Sequence, residues 1–328
     1  MGLDRLALGG VSSRVAVVFP GQGSQTVGMG GAIAETSPIA GDLFRRAQRI
    51  LGYDLRALVR EGPEEKLRET HYSQPAIYVT NYALAAAVGD ALAPVGSAGH
   101  SFGEFCSLTL GGALSFEDAL TLVRERGLAM QEAAERTPGA MSAVLGLAPE
   151  AVLTATETAR AEGAGRVRPA NFNAPGQIVV SGDRDAVVRA GELALAAGAK
   201  RVVALNVSGA WHSELMAPAQ ARFASFIERA DFQLPRFPVI SNVDAQPYRD
   251  VAGIKRNLIR SVTDEVRWHD AAERLLNEVK PDLVVEFGGS AVLAPLFKRI
   301  AGAPPTLHVG DERGVERLAE QLGAAAAS

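Results

Sequence analysis

Cysteine is nearly missing from this sequence: Cys106 stands alone among 328 residues. That excludes an internal disulfide and any metal cluster built on several cysteines. An excess of positive charge is missing too. With 33 Lys and Arg against 37 Asp and Glu, the formal net charge is −4, which argues against a general nucleic-acid binder, since such domains carry a basic field to meet phosphates. No run approaches the roughly 18 uninterrupted apolar residues of a membrane span. The N-terminus, MGLDRLALGG, lacks the basic-then-apolar layout of a secretory signal, so a cytoplasmic protein is the default expectation. Lysine is absent before Lys66. The glycine-rich stretch FPGQGSQ at 19–25 therefore cannot be a phosphate loop, which needs a Gly-Lys-Ser/Thr ending. It fails as a dinucleotide loop as well, because Thr26 stands where G-x-G-x-x-G requires its third glycine after Gly21 and Gly23.

What is present is the material of a globular α/β protein. Hydrophobic residues make up 47% and charged residues 21%, enough for one large domain or a large and a small one. Apolar runs predict strands at Val15 to Phe19, Ser142 to Leu147, Gln177 to Ser181, Arg201 to Asn206, Val239 to Ser241 and Asp282 to Glu286. Helical patterns cover Ile39 to Leu51, Ala76 to Leu92, Phe116 to Glu135, Ala186 to Ala197, Ser213 to Ala230 and Trp268 to Val279. Such alternation predicts an α/β architecture with a mostly parallel sheet. From about Gly139 to Asn206 the order is strand, helix, strand, strand, helix, strand, the split βαβ pattern of a ferredoxin-like unit. The expected division is a discontinuous large domain over 14–137 and 207–310, a small domain over 138–206 and a C-terminal segment over 311–328 whose AAAAS ending reads as a frayed tail.

AGHSFGEF at 98–105 contains G-x-S-x-G as Gly99, His100, Ser101, Phe102 and Gly103. In a nucleophile elbow the serine occupies a tight turn between strand and helix, and the turn requires small neighbours. Val95 to Ala98 reads as the strand and Glu104 to Leu110 as the helix, whose N-terminus points N–H groups at an anion forming beside it. The five-residue pattern alone leaves a chance glycine turn equally open. A serine nucleophile needs a base. Of five histidines, His100 leaves the turn in another direction, His71 reads as polar loop, His269 as the surface of a helix, and His308 follows a strand. His212, in LNVSGAWHSELM, lies between an apolar strand and a helix, where α/β folds place functional side chains. Taken singly it is only a candidate, because a satisfied structural histidine is the commoner finding. Cys106 reads as a small buried apolar residue.

FPGQGSQ, GHSFGEF, VRERGLAMQEA, NFNAPGQIVVSG and VSGAWHSELM, in this order, resemble the malonyl-CoA:acyl carrier protein transacylases of bacterial fatty acid synthesis. The acyltransferase domains of polyketide synthases are close relatives. The resemblance runs from about Val15 to Ile300 and implies an α/β hydrolase-like large domain with an inserted ferredoxin-like small one. It implies Ser101 as nucleophile and His212 as its base, with malonyl passing from malonyl-CoA through a malonyl-serine ester to the phosphopantetheine thiol of acyl carrier protein. Backbone N–H groups of Gln22 and Phe102 would form the oxyanion hole, each donor worth about 3 kcal/mol in enzymes where one was removed. The family orients its histidine with a backbone carbonyl, which the alignment of LIRSVTDEVRW assigns to Ser261. Arg126 matches the arginine that grips the malonyl carboxylate, for which a planar guanidinium suits bidentate contact. Without the resemblance it would read as a solvated helix arginine. Gln74, Asn171 and Asn173 are expected as pocket or cofactor-arm contacts.

Trp211 precedes the histidine, at a position that in polyketide relatives is aromatic for malonyl and serine for methylmalonyl units. The carrier proteins of the family are acidic, and Lys298 and Arg299 are expected to meet them. No cofactor or metal is implied, and a monomer is the default. A trans-acting polyketide acyltransferase, an acyl hydrolase of the same fold and a non-catalytic carrier-binding module are the alternatives.

Overall fold

The computed structural model describes residues 14–326. Five strands form the larger sheet: β1 (Val15–Phe19), β2 (Pro94–Gly99), β7 (Val239–Ile240), β8 (Leu283–Phe287) and β9 (Thr306–Val309), in the order β7-β2-β1-β8-β9. Every neighbouring pair is parallel. Strand β1 reads VAVVF and is buried throughout, as expected for a parallel strand covered on both faces. Its alternate residues divide the core. Val15, Val17 and Phe19 face the larger apolar cluster with the helices Pro38–Leu51, Thr70–Ala87 and Phe116–Arg136. Ala16 and Val18 face a second cluster with Trp268, Leu275 and Phe297.

The smaller sheet is antiparallel, in the order β4-β5-β3-β6, from β3 (Ala140–Leu145), β4 (Val167–Ala174), β5 (Gln177–Gly182) and β6 (Arg201–Ala204). The helices Pro149–Ala161 and Arg184–Ala196 close a separate apolar core over one face. The other face looks toward the large domain. Strand β4 bonds directly to it, with Phe172 N–H donating to Val266 O at 2.9 Å and Val266 N–H to Ala170 O at 2.8 Å. The final helix, Glu312–Ala326, sends Val315, Leu318 and Leu322 into the larger core. The segment set apart at 311–328 thus joins the large domain. Of the AAAAS ending, 324–326 continue that helix and the last two residues lie outside the described ones. Among the described residues, no helix is long and apolar enough to cross a membrane.

Two local readings need correction. His71 and Gln74 lie inside the helix Thr70–Ala87, which begins six residues before the expected Ala76. Pro75 looked like a boundary, yet tertiary packing carries the helix through it: Gly127 brings the helix Phe116–Arg136 so close that a Cβ there would lie 3.0 Å from Thr70 O. Strand β4 has no apolar run, and its NFN is held by pairing to β5 and to Val266.

The turn after β2 is packed backbone against backbone. A Cβ on Gly103 would lie 2.5 Å from Phe19 O. Gly103→Ala is therefore expected to destabilise the protein by about 1–3 kcal/mol. Gly323→Ala, in open space on the final helix, is expected to be neutral or to stabilise by up to about 1 kcal/mol. Urea-unfolding midpoints of the two variants check this, and a Gly103→Ala midpoint equal to that of the parent would show room for a methyl at the elbow.

Candidate active site

The elbow places Ser101 at the carboxyl end of β2, in the left-handed region at φ 53°. Such a conformation costs a non-glycine residue on the order of 1–3 kcal/mol and persists only where the surroundings enforce it. His212 is held at φ 58°. Despite 111 residues of separation, Ser101 Oγ and His212 Nε2 are 2.9 Å apart. On the far side of the ring, Nδ1 lies 3.1 Å from Asp264 O. A carbonyl can only accept, so Nδ1 carries the proton and Nε2 is left to accept from the serine hydroxyl.

That contact corrects the expectation of Ser261. Ser261 caps the helix Val251–Arg260, and the turn that follows spends Arg260 O on the N–H groups of Thr263 and Asp264. Asp264 stands one step beyond the turn, next to the segment that pairs with β4, and its carbonyl faces the imidazole. Ser261's carbonyl makes a smaller contribution to holding the ring's proton.

Arg126 is 1% exposed, and its Nη2 lies 3.4 Å from Ser101 Oγ. Its Nε has no partner among the described residues. Burial lowers its pKa to about 10, opposed by the charge of Glu104, so the guanidinium stays charged at neutral pH. Burial pushes His212 down to about 3, with further lowering by Arg126 and His100 and opposition from the Asp264 and Ser261 carbonyls. The imidazole is thus a neutral base throughout the physiological range.

A cleft of about 600 Å³ joins these groups. It is lined by Gln22, Gln74, Ser101 and Arg126 from the large domain, by Asn171 and Met141 from the small sheet, and by Trp211 and His212. The Gln22 loop follows β1 and lies against the elbow, where a Cβ on Gly21 would be 2.6 Å from His100 O. Neither the Gln22 nor the Phe102 N–H has a protein partner among the described residues. Gln22 Nε2 is turned away toward Thr70 Oγ1 at 3.1 Å. Gln74 is fully buried, and its Oε1 has no partner among the described residues.

One expected pocket residue sits elsewhere. Asn173 does not line the cleft; its Oδ1 lies 2.9 Å from His100 Nε2 and fixes that ring, which also packs on Trp268. It is one strand step beyond Asn171 and so falls beneath His100. Lys298 and Arg299 follow the single turn Ala294–Phe297 on the Trp268 side of the sheet. Arg299 donates to Gln177 Oε1 at 2.8 Å and to Pro175 O. It lines a larger groove of about 1050 Å³ between the domains, which contains none of Ser101, Arg126 or His212. Sequence reasoning missed Asp264 and also Asn242, whose side chain accepts from Ser101 N–H at 3.0 Å.

Residues 16–300 match the acyl transferase domain family. The chain belongs to that family. It is 40% identical over 311 residues to the malonyl CoA-acyl carrier protein transacylase of Bacillus subtilis, covering 94% of this chain and 98% of that protein. It is similar to the crystal structure of an acyl carrier protein S-malonyltransferase from Vibrio cholerae, with a TM-score of 0.87, 40% identity, and coverage of 93% of this chain and 100% of that one. The transacylase in a holo complex with its type II PKS acyl-carrier protein is 39% identical, with a TM-score of 0.87 and coverage of 94% and 99%. The mostly parallel sheet with a smaller antiparallel one is the architecture of these transacylase structures.

The lowered pKa of His212 has a visible sign. Because the folded value lies below 6.5, the neutral base persists as pH falls through the ordinary histidine range. kcat/KM, which reports the free enzyme, is expected to stay level down to about pH 5. An acid limb with its midpoint near 6.5 would contradict the geometry.

Proposed function

We propose that this chain transfers malonyl from malonyl-CoA to the phosphopantetheine thiol of an acyl carrier protein. The observation that carries the reading is a buried arginine with free donors beside a serine–histidine pair. A malonyl carboxylate on Arg126 would satisfy those donors and place the thioester carbonyl over Ser101 Oγ. Family membership and the names of the relatives support the same activity.

In the first half-reaction Ser101 Oγ attacks the thioester carbon while its proton passes to His212 Nε2. The negative charge forms on the carbonyl oxygen, which the Gln22 and Phe102 N–H groups meet. Collapse breaks the C–S bond, and CoA thiolate leaves with the proton from His212. In the second half the pantetheine thiol gives its proton to His212, attacks the malonyl-serine ester and releases Ser101 as the hydroxyl. Trp211 is buried beside His212 and lines the cleft. Its ring takes the room that a branch at the α-carbon would need, which favours unbranched malonyl. The acyl-carrier complex of a close structural relative supports a carrier protein as acceptor.

Ser101→Ala is expected to abolish both covalent malonylation and transfer. His212→Ala is expected to slow transfer by a factor of about 100 to 10,000, the usual size of general base catalysis. Intact mass spectrometry after incubation with malonyl-CoA reads the first directly, and an undiminished malonylated species in Ser101→Ala would remove the nucleophile assignment.

Arg126→Ala is expected to lower malonyl transfer by about 100-fold or more, while acetyl transfer holds or rises, because no unpaired buried cation remains to oppose a neutral acyl group. Comparison of kcat/KM for the two CoA esters decides the point. Equal losses would make Arg126 a structural residue.

A further inference from the structure

The strained elbow is held from behind by a buried amide. Two of its backbone bonds are local, Gly103 N–H to His100 O at 3.0 Å and Glu104 N–H to Ser101 O at 3.2 Å, and a third ties His100 N–H to Phe19 O at the end of β1 at 2.9 Å. The N–H of Ser101 itself turns instead to Asn242 Oδ1, at 3.0 Å. The same side chain donates through Nδ2 to Gly99 O at 2.6 Å and to Glu104 Oε2 at 2.8 Å. One amide thus spans the end of the strand, the nucleophile and the first turn of the helix. Asn242 and Glu104 are each 1% exposed, and neither lines the cleft.

We propose that Asn242, clamped by Glu104 and Tyr248, is a positioning residue for acyl transfer that holds the elbow so that Ser101 Oγ meets His212 and the Phe102 N–H faces the oxyanion. This rests on Ser101 being the nucleophile. Chemistry fixes the orientation of the amide. Gly99 O and the Glu104 carboxylate accept, while Ser101 N–H can only donate, so a flipped Asn242 would set oxygen against two acceptors and NH₂ against a donor. Glu104 is held in turn: Tyr248 Oη–H donates to its Oε1. Burial pushes the Glu104 carboxyl up to about 7 against the pull of Tyr248 and Asn242, and those donors are what let it face the amide as an acceptor. Asn242 also has a fixed backbone, because its carbonyl accepts from Arg267 N–H at 3.0 Å at the start of the helix Trp268–Val279. Polar networks satisfied at every member rigidify what they touch.

Ser101 φ sets the plane of the peptide before the serine and, through the turn, the direction of the Phe102 N–H. Freedom at that bond would let both reacting groups drift, and small misplacements cost catalysis steeply. Binding rests on other contacts, since Arg126, Gln74 and Trp211 make no hydrogen bond to Asn242, Glu104 or Tyr248, and Arg126 meets the network only through Ser101 Oγ and the charge of Glu104. Asn242→Ala is therefore expected to lower kcat by about 10- to 100-fold while KM for malonyl-CoA stays within about threefold. Asn242→Asp keeps the shape but loses both donors, and is expected to fall as far. Glu104→Gln can still accept from Asn242 and is expected to retain kcat within about threefold. Tyr248→Phe releases only the back of the clamp and is expected to lose about two- to tenfold in kcat, which keeps the proposal testable if Asn242→Ala does not fold.

The full chain is assayed with malonyl-CoA and carrier protein, with thermal unfolding as the check on folding and the rate of Ser101 malonylation read by rapid-quench mass spectrometry. Slow malonylation at normal KM in folded Asn242→Ala or Tyr248→Phe, with Glu104→Gln active, supports the clamp. Unchanged malonylation rates, or losses in kcat and KM that track lost stability across all four variants, overturn it. Absence of malonyl on Ser101 in the parent protein is a different outcome, which removes the nucleophile and the clamp together.

Discussion

Three backbone segments approach one another more closely than any side chain would permit, and the site depends on that approach. A Cβ on Gly99 would lie 2.0 Å from Gly103 C, one on Gly103 would lie 2.5 Å from Phe19 O and one on Gly21 would lie 2.6 Å from His100 O. The parallel register pairs Phe19 with Gly99, so the loops leaving β1 and β2 start side by side. Their N–H groups, Gln22 on one and Phe102 on the other, can then serve one oxygen. In the proposed reaction the glycine-rich stretch after β1 would thus cradle an anion after all, but charge that exists only during reaction rather than a phosphate.

Charge inside the cleft is arranged around Arg126. A guanidinium stripped of water is costly unless an anion meets it, and among the described residues its Nε has no partner. Its field also lowers the pKa of His212. A bound carboxylate changes both at once, satisfying the arginine and easing the approach of a proton to the imidazole. In the proposed reaction substrate recognition and base strength are therefore coupled through a single cation, and an acyl group without a carboxylate would find a weaker base as well as an empty grip.

Much of this was legible in the sequence where local chemistry is self-sufficient. Strand β1 and the helix Trp268–Val279 fall at their expected bounds, because a continuous apolar run and a 3.6-residue stripe need no context. The elbow and Arg126 were legible through motifs. What escaped depends on tertiary geometry. Gln74 reads as loop beside Pro75 until Gly127 is seen to bring another helix against it. Asp264 could not be told from Ser261, since any residue supplies the same carbonyl and only the turn after Arg260 selects one. Asn242 carried no signal in SNVDAQ, which reads as an ordinary turn. The reach of Arg299 across to Gln177 has no signal in the sequence either.

The carbonyl behind His212 also bears on which nucleophiles the protein can use. A carboxylate there would stabilise an imidazolium, whereas Asp264 O offers only a dipole and Arg126 opposes the positive ring. A base so reluctant to hold a proton gives most help to nucleophiles that release theirs easily. A thiol, with a pKa near 8.5, asks far less of it than water, at about 15.7. A thiol arm is consequently an easier acceptor than water for an acyl group resting on the serine, whereas the hydroxyl of Ser101, no more acidic than water, gives up its proton only as its attack and the contacts to the oxyanion proceed together.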